Sequence, residues 1–353
     1  MINANIRPMQ VPGLRADYAS WVRSKIYGEV WPQLVKMAGV YGLKDGYLDN
    51  FEKMREDIQR DLKHGETLEA AALRNERNAA TMGELFWVST DMMRLASHAA
   101  AEMPKWGLLA SDLPARSGLL ICETPMRMRK YGTSGLIPEV GLLWSVEDVS
   151  NESTLTGLAI AGLRREYEMG HVDDDVRESL SQVLHLSLIS DVGKIVNADG
   201  GVVDGTRGNG GSRLSHEDES VVPLGAVFNA GPLFDDGTPR PVPLLAAILA
   251  LIDSPGVATV TDWEPDKRER AQMRRHRIRK THAVRVIDLI NKPRGASKSG
   301  SDREYHHRWM VRGHWRNQWY PKQLRNKPRW IQPYLKGPDG APLLTGEKVQ
   351  AIR

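Results

Sequence analysis

The sequence is poor in cysteine and contains no long hydrophobic run. Its one cysteine, Cys122, cannot form a disulfide within the chain, which favours a reducing cytoplasm. The longest apolar run, 242–252, is about half as long as a membrane-spanning helix requires. Pro243 near its start and Pro255 beyond its end are typical of a buried helix. The first residues lack the features of a signal peptide, so we expect a cytoplasmic protein with no membrane partner.

Motifs of known catalytic and cofactor-binding sites are also lacking. The Gly-rich loop expected over 197–218 has no Gly-Lys-Ser or Gly-Lys-Thr, which argues against a phosphate-binding loop. No nucleophile elbow, kinase motif set or dinucleotide fingerprint occurs. The single cysteine lies far along the chain from the histidines that follow residue 264, which argues against structural zinc. Three adjacent acids, 173–175, fit the cap of a helix better than a metal site. We therefore expect neither a metal nor a cofactor.

Charge is distributed unevenly along the chain. Residues 1–263 contain 25 Lys and Arg against 36 Asp and Glu, a net charge of −11. Residues 264–336 contain 21 Lys and Arg against six acids, a net charge of +15. An acidic body with a basic appendage is typical of a protein that contacts the phosphates of a nucleic acid.

The first part of the basic region predicts a helix over 266–280. Good helix formers dominate this stretch, and Asp266 and Glu269 lie in the first turn, where acids interact favourably with the helix dipole. At about 3.6 residues per turn, the arginines cover most of the helix surface. Four of them are candidate phosphate contacts: Arg274, Arg275, Arg277 and Arg279. The alternative is a solvated helix that pairs with the acidic body.

The second part of the basic region combines cations with tryptophans. Four of the ten tryptophans lie between residues 305 and 334, in a segment that predicts two short strands separated by Gly313. Aromatic rings stack on unpaired bases for roughly 1–3 kcal/mol per base, while arginines neutralise phosphates. The candidate nucleic-acid contacts here are Arg308, Trp309, Arg312, Gly313, His314, Trp315, Arg316, Trp319, Tyr320 and Trp330. The alternative is a hairpin whose tryptophans cover part of the core and whose arginines pack over them by cation–π contact.

The run Arg312-Gly-His-Trp315, followed by Trp319, a basic spacer, Trp330 and Pro333, resembles the C-terminal signature of a known family. This is the family of the second type V-A anti-CRISPR protein, which occurs on phages, plasmids and other mobile elements. The resemblance implies a protein that recognises a polypeptide segment of a CRISPR nuclease and lowers the nuclease's level through loss of its transcript during translation. The residues of this chain that match the family's signature are Arg312, Gly313, His314, Trp315, Trp319 and Trp330.

Fainter similarity to the same family runs through the middle of the chain. The segment 84–94 resembles the family's aromatic helix before the first strand, the expected strand at 118–123 follows, and 244–252 resembles its apolar late helix. The resemblance covers roughly residues 80–340.

The expected fold class is α+β: a helical N-terminal part, a mixed β-sheet core with packed helices, and a basic, aromatic C-terminal arm. The expected regions are 1–100 (helical), 101–263 (α+β core) and 264–353 (basic and aromatic). Short apolar runs predict strands at 119–122, 140–146 and 155–161, and a helix from Asp173 through Leu188. Residues 292–301 predict a flexible linker that lets the aromatic tail move relative to the body.

The basic, aromatic region predicts a protein that binds RNA or a ribonucleoprotein. The resemblance implies a phage-type protein that recognises a target polypeptide such as a CRISPR nuclease and suppresses expression of that target through mRNA degradation. We expect binding rather than catalysis. One alternative is a metal-free ribonuclease centred on His314, because a histidine between two arginines can act as an acid or base beside a phosphate. A third interpretation is a structural protein-interaction module in which the tryptophan hairpin belongs to the core.

Overall fold

The computed structural model describes residues 5–25, 83–131, 135–148, 182–197, 202–204, 213–225, 227–228, 234, 237–264, 266–268, 271, 283–290, 306–338 and 341–342. The helices are α1 (Val11–Lys25), α2 (Thr90–Ala101) and α3 (Pro241–Asp253). Short 3-10 turns lie at Pro8–Gln10 and Ala110–Asp112. No helix among these residues is both long enough and apolar enough to cross a membrane.

The strands are numbered in chain order. They are β1 (Glu84–Val88), β2 (Trp106–Gly107), β3 (Ser117–Cys122), β4 (Arg127–Tyr131), β5 (Gly135–Asp148), β6 (Gln182–Asp191), β7 (Lys194–Asn197), β8 (Val202–Asp204), β9 (Leu214–Pro223), β10 (Val227–Phe228), β11 (Ala258–Trp263), β12 (Val284–Leu289), β13 (Trp309–Val311), β14 (His314–Tyr320), β15 (Arg325–Ile331) and β16 (Tyr334–Lys336).

A mixed sheet forms the centre of the fold. Its main path runs β11-β12-β1-β3-β5-β6-β9, with β4 and β7 also paired to β5 and with β8 paired to β7. The strand β1 is parallel to both of its neighbours, β12 and β3, whereas the remaining pairs in the sheet are antiparallel. Three short two-stranded pairs lie outside this sheet: β2 with β10, β13 with β16, and β14 with β15.

Helices cover both faces of the sheet because its central strands are apolar on both faces. In β1, Phe86 and Val88 face the cluster that holds α2 and α3, while Leu85 and Trp87 face the cluster that holds α1. The same alternation continues in β3 and divides the core into two layers. The α+β fold class, with a mixed sheet and packed helices, is therefore confirmed.

The ends of α2 and α3 follow from local sequence. Ser89 caps α2, because its side chain accepts from the Met92 backbone N–H, and Glu123 accepts the backbone N–H of Thr90 at 2.9 Å. The helix α3 has Pro241 in its first turn, and its side chains are buried from Pro241 to Leu251. The apolar run thus forms the buried helix that the sequence predicts.

Several local predictions can be compared with the structure. The strands expected at 119–122 and 140–146 are confirmed within β3 and β5. The expected helix over 84–94 is wrong in its first half, since Glu84–Val88 is the strand β1, and α2 follows only after it. The helix expected to reach Leu188 is also wrong there, because Gln182–Asp191 is the strand β6.

The remaining differences concern loops and boundaries. The expected Gly-rich loop includes β8 and the start of β9. The strand β12 lies beyond residue 263 and pairs with both β11 and β1, so the sheet includes part of the expected C-terminal region. The expected strand 155–161, the acids 173–175 and the expected linker 292–301 lie outside the described residues.

Candidate nucleic-acid interface

The candidate interface lies on the two strand pairs formed by residues 306–338. The predicted contacts from Arg308 to Trp330 lie in these strands or directly beside them. The other predicted contacts, Arg274, Arg275, Arg277 and Arg279, lie outside the described residues. Gly313 separates β13 from β14, as the sequence predicts. Residues 305–338 contain eight Lys and Arg and no Asp or Glu. Any carboxylate that neutralises this segment must come from elsewhere in the chain.

The pair formed by β13 and β16 holds Arg308 and Trp309 at the end of the described chain. The backbone N–H of Arg308 donates to the Pro342 carbonyl at 2.8 Å, and its guanidinium Nε donates to the Ala341 carbonyl at 2.9 Å. The Lys336 ammonium lies 5.9 Å from the centroid of the half-buried Trp309 ring. These contacts give both side chains a structural role within the strand pair.

Trp330 is part of the hydrophobic core. Its side chain is only 3% exposed and packs in the cluster that holds α2 and α3. The ring of Trp315 meets it edge to face, with centroids 5.1 Å apart and an interplanar angle of 73°. A β-carbon at Gly313 would lie 2.5 Å from Cζ2 of the Trp330 ring and 3.2 Å from Cδ of Pro333. Gly313, Trp315, Trp330 and Pro333 therefore form one packing unit.

Hydrogen bonds join this packing unit to the two helices below it. The Trp315 indole Nε1 donates to the carbonyl of Ala99, near the end of α2, at 2.7 Å. The backbone N–H of Trp330 donates to Oγ of Ser254 at 2.9 Å, and Ser254 in turn donates to the Ala250 carbonyl of α3 at 2.7 Å. The hairpin of β14 and β15 is thus docked on the body, whereas the sequence predicts a tail that moves relative to the body.

A buried carboxylate holds the other end of the hairpin. Asp112, whose side chain is 2% exposed, pairs with the Arg325 guanidinium and, at 2.8 Å, with the Lys327 ammonium. Lys327 also lies 3.3 Å from the Asp253 carboxylate at the end of α3. Burial lowers the pKa of Lys327, but its hydrogen bond to Asp112 and the charges of both carboxylates outweigh that effect, so its pKa lies above the ordinary value.

The face of the hairpin that contacts the body changes along its length. Trp315 and Trp330 are cross-strand partners near Gly313, whereas Arg325 and Lys327 lie on the opposite face near the loop. Both sets contact the body. A two-stranded ribbon twists strongly, and this twist lets opposite faces contact the body at the two ends. Exposed residues therefore lie on one face near Gly313, at Arg316, and on the other face near the loop, at Trp319.

Cations occupy the outward surface near Gly313. Arg316 lies directly opposite Arg329 in the register of the hairpin, and Arg312 and His314 are exposed beside them. Like charges placed directly opposite each other destabilise a strand pair. Within the described part of the chain, no carboxylate forms an ion pair with Arg312, Arg316 or Arg329. Two facing cations without such a partner form a site suited to an anion.

The ring of His314 is held in one tautomer. Its Nδ1 lies 3.0 Å from the carbonyl oxygen of Arg312. A carbonyl can only accept a hydrogen bond, so Nδ1 carries the proton, and in the neutral ring Nε2 is an acceptor. The exposed side chain can thus present Nε2 to a ligand on the surface that carries Arg316.

Aromatic surface appears near the loop. Trp319 is 51% exposed and lies opposite the exposed Asn326. Tyr320 is half-buried, and the Lys327 ammonium lies 5.7 Å from its ring centroid. Among the tryptophans of the hairpin, Trp319 is the one with a large exposed surface in the structure.

Two of the tryptophans expected to stack on bases pack against the body in the structure. The ring of Trp330 is enclosed in the core, and the ring of Trp315 packs against it with its N–H bonded to α2. Neither ring can stack on a base without leaving this packing, so the alternative of a hairpin that covers the core describes these two residues. Trp319 retains the exposure that stacking requires.

Arg329 is a candidate contact that the sequence prediction missed. The loop sequence Pro321-Lys-Gln-Leu324 joins β14 to β15 and sets the register that places Arg329 opposite Arg316. A turn assigned to that sequence would have identified the pair. No signal near the hairpin could have identified Asp112 or Ser254, because both come from distant parts of the chain.

Comparisons with known proteins add no further assignment. A search of protein-family models gives no match to this sequence, and no significant match is found among curated proteins.

Proposed function

We propose that this protein binds RNA through the outward surface of the β14–β15 hairpin and uses that contact to suppress expression of a target protein. The observation that supports this is the division of the motif around Gly313. Its inward residues, Gly313, Trp315 and Trp330, are explained by packing. Its outward residues, Arg312 and His314, are exposed and are not part of the hydrophobic core.

The chemistry of the outward surface supports a nucleic-acid ligand. The facing pair Arg316 and Arg329 supplies guanidinium groups that suit phosphate oxygens, and Trp319 supplies a ring for an unpaired base. RNA with single-stranded segments offers both groups together. Among the described residues, the carboxylates of Asp112 and Asp253 pair with cations near the loop and none pairs with Arg316 or Arg329.

The wider function follows from the resemblance to the anti-CRISPR family. In this proposal the chain is a mobile-element protein that acts in the cytoplasm of a bacterial host. Its partners are an RNA or ribonucleoprotein and a target polypeptide, such as a segment of a CRISPR nuclease, and the outcome is loss of the target's transcript during translation. In this proposal the N-terminal part is helical and the C-terminal arm is basic and aromatic, with its β14–β15 hairpin docked on the body.

A binding experiment tests the RNA contact. The double variant R316Q/R329Q removes both guanidinium charges, and Arg94→Gln is a matched control because Arg94 is an exposed arginine on α2, where its partner Asp91 is also exposed. In fluorescence anisotropy with single-stranded RNA, we expect the double variant to bind roughly tenfold more weakly or worse, and the control to bind within about twofold of the wild type. Equal affinity of the double variant and the wild type would contradict the proposal.

A cellular experiment tests the suppression. The wild-type protein is expected to lower the level of its target, measured as target protein and transcript, whereas R316Q/R329Q should leave both high despite normal accumulation. If the double variant suppresses the target as fully as the wild type, RNA contact at this surface is not how the protein acts.

A second candidate function is metal-free RNA cleavage at His314. The fixed tautomer of its ring favours this candidate, since an exposed Nε2 can accept a proton beside two arginines. The variant His314→Gln retains hydrogen bonding without a titrating group. If the protein is a ribonuclease, RNA decay should occur in EDTA and the variant should lose about a hundredfold in rate. If it is a binding protein, RNA should remain intact and the variant should keep most of its affinity.

A further inference from the structure

Leu324 has an unfavourable backbone conformation for its residue type. It is the last residue of the loop between β14 and β15, and its φ is 50°, in the left-handed region. Among the described residues, it is the one non-glycine with a positive φ. A β-carbon is disfavoured in this region, which glycine and asparagine adopt more readily. Glycine or asparagine would therefore suit the backbone conformation at position 324 better than leucine.

The side chain of Leu324 also adds little to the core. It is 77% exposed, the largest value among the exposed large hydrophobic residues of the described chain. Trp319, near the same end of the hairpin, is 51% exposed. An apolar side chain that is neither buried nor favoured by its backbone contributes little to folding stability. A contact outside the chain would account for its presence.

We propose that Leu324 and Trp319 form an apolar wedge that inserts beside unpaired bases, so that the preferred ligand is RNA with a bulge or a single-stranded junction. This inference rests on the proposed RNA-binding function and specifies its ligand class. Proteins that insert apolar side chains between bases must unstack them, and this costs least where a base is already unpaired. Arg316 and Arg329 face each other in the same hairpin and can hold phosphates of the same ligand.

An anionic membrane is the other surface that a cationic loop with exposed apolar residues would fit. The RNA ligand is favoured because the segment 305–338 places cations along the length of the hairpin as well as at its loop, including the facing pair Arg316 and Arg329. Phosphates that follow one another along a strand can contact such a surface over its whole length.

The test uses two variants of Leu324 and a matched control in the full chain. Leu324→Asn and Leu324→Gly remove the apolar side chain and suit the left-handed backbone. Val260→Thr changes another exposed apolar residue, on the edge strand β11, far from the hairpin in sequence. The ligands are an RNA hairpin with a bulge, the same hairpin without the bulge, and phosphatidylglycerol vesicles. R316Q/R329Q is measured in parallel.

We expect both Leu324 variants to bind the bulged RNA about tenfold more weakly, which corresponds to about 1.4 kcal/mol, and to bind the uninterrupted hairpin within about twofold of the wild type. Their melting temperatures should equal or exceed that of the wild type, because the strained backbone is relieved. The Val260→Thr control should match the wild type with each ligand.

The outcomes separate this inference from the function on which it rests. If the Leu324 variants bind the bulged RNA normally while R316Q/R329Q binds weakly, the wedge is wrong and the RNA-binding surface stands. If R316Q/R329Q also binds normally, both are wrong. Vesicle binding that depends on Leu324, without an effect of Leu324 on RNA affinity, would assign the loop to a membrane instead and overturn the wedge.

Discussion

The indole ring of Trp330 occupies the space where a β-carbon at residue 313 would lie. The distance from that position to Cζ2 of the ring would be 2.5 Å, well below van der Waals contact. Glycine is required at 313 because the side chain of Trp330 packs against this position. The glycine and the tryptophan of the motif are thus two halves of one contact, separated by 17 positions in the chain.

This contact predicts a stability effect. Gly313→Ala forces the Trp330 ring to shift and should lower the free energy of unfolding by about 1–3 kcal/mol. Trp330→Ala leaves a cavity in the core and should cost about 3–5 kcal/mol. Trp319→Ala, at an exposed ring, is the control and should change stability little. Urea unfolding at neutral pH gives all three values, and a Gly313→Ala protein as stable as the wild type would contradict the packing described for the motif.

The facing arginines predict a change in salt dependence. If several cations of the hairpin contact phosphates, the logarithm of the binding constant should fall linearly with the logarithm of salt concentration, by roughly 0.7 per phosphate on single-stranded RNA. R316Q/R329Q should reduce this slope by ~0.7 for each of the two arginines that contacts a phosphate. An unchanged slope in a titration of affinity against potassium chloride would show that neither arginine makes such a contact.

The pairing of Lys327 predicts a loss of stability at high pH. Its pKa is raised above 10.5 in the folded protein, so its ion pairs stabilise the fold fully below that pH and are lost as the pH rises through the folded pKa. We expect the free energy of unfolding of the wild type to fall above about pH 10.5 by more than that of Lys327→Met. Lys322→Met, at an exposed lysine in the same hairpin, should show the wild-type decline. Equal pH profiles for the wild type and Lys327→Met would rule out this contribution.

The buried thiol predicts slow chemical modification. Burial raises the pKa of Cys122 to about 12, and its side chain lies in the cluster that holds α2 and α3. The thiolate is the reactive form, so a thiol reagent such as an aromatic disulfide should react with the native protein very slowly at pH 8. In denaturing urea the same reagent should react at once. Rapid reaction of the native protein would mean that β3 is more open than the structure indicates.

The sequence predicted correctly those parts of the fold that neighbouring residues determine. The helix α3 follows from a continuous apolar run with a proline in its first turn, and the break at Gly313 follows from the residue type itself. The strand β1 was missed because it adjoins a stretch with a helical composition and because its residues 85–88 are apolar on both faces. A short apolar run of this kind becomes a strand only through partners, here β12 and β3, that lie further along the chain.

The sequence predicted which residues form the candidate site, but it did not predict which of their side chains face the body. Alternating cations and tryptophans were sufficient to select the segment from Arg308 to Trp330. The orientation of the tryptophans depends on two distant residues. Ala99 accepts a hydrogen bond from the Trp315 indole, and Ser254 accepts one from the Trp330 backbone. No local sequence pattern reveals that these two residues lie beside the hairpin. The contacts of the hairpin with the body then decide which cations remain outward. For this reason Trp330 was assigned to a ligand and Arg329 was overlooked.

The position of β12 beside β1 affects how the chain can fold while it is being made. These two strands are direct neighbours in the sheet although residues 84–88 precede residues 284–289 by roughly 200 positions. At ~5–20 residues per second, a ribosome needs on the order of 10–40 s to travel from one strand to the other. Throughout that interval the edge of β1 that later pairs with β12 has no native partner. Sheet completion is therefore a late event in biosynthesis, and a nascent chain stalled before residue 284 would expose an apolar edge to chaperones or to other chains.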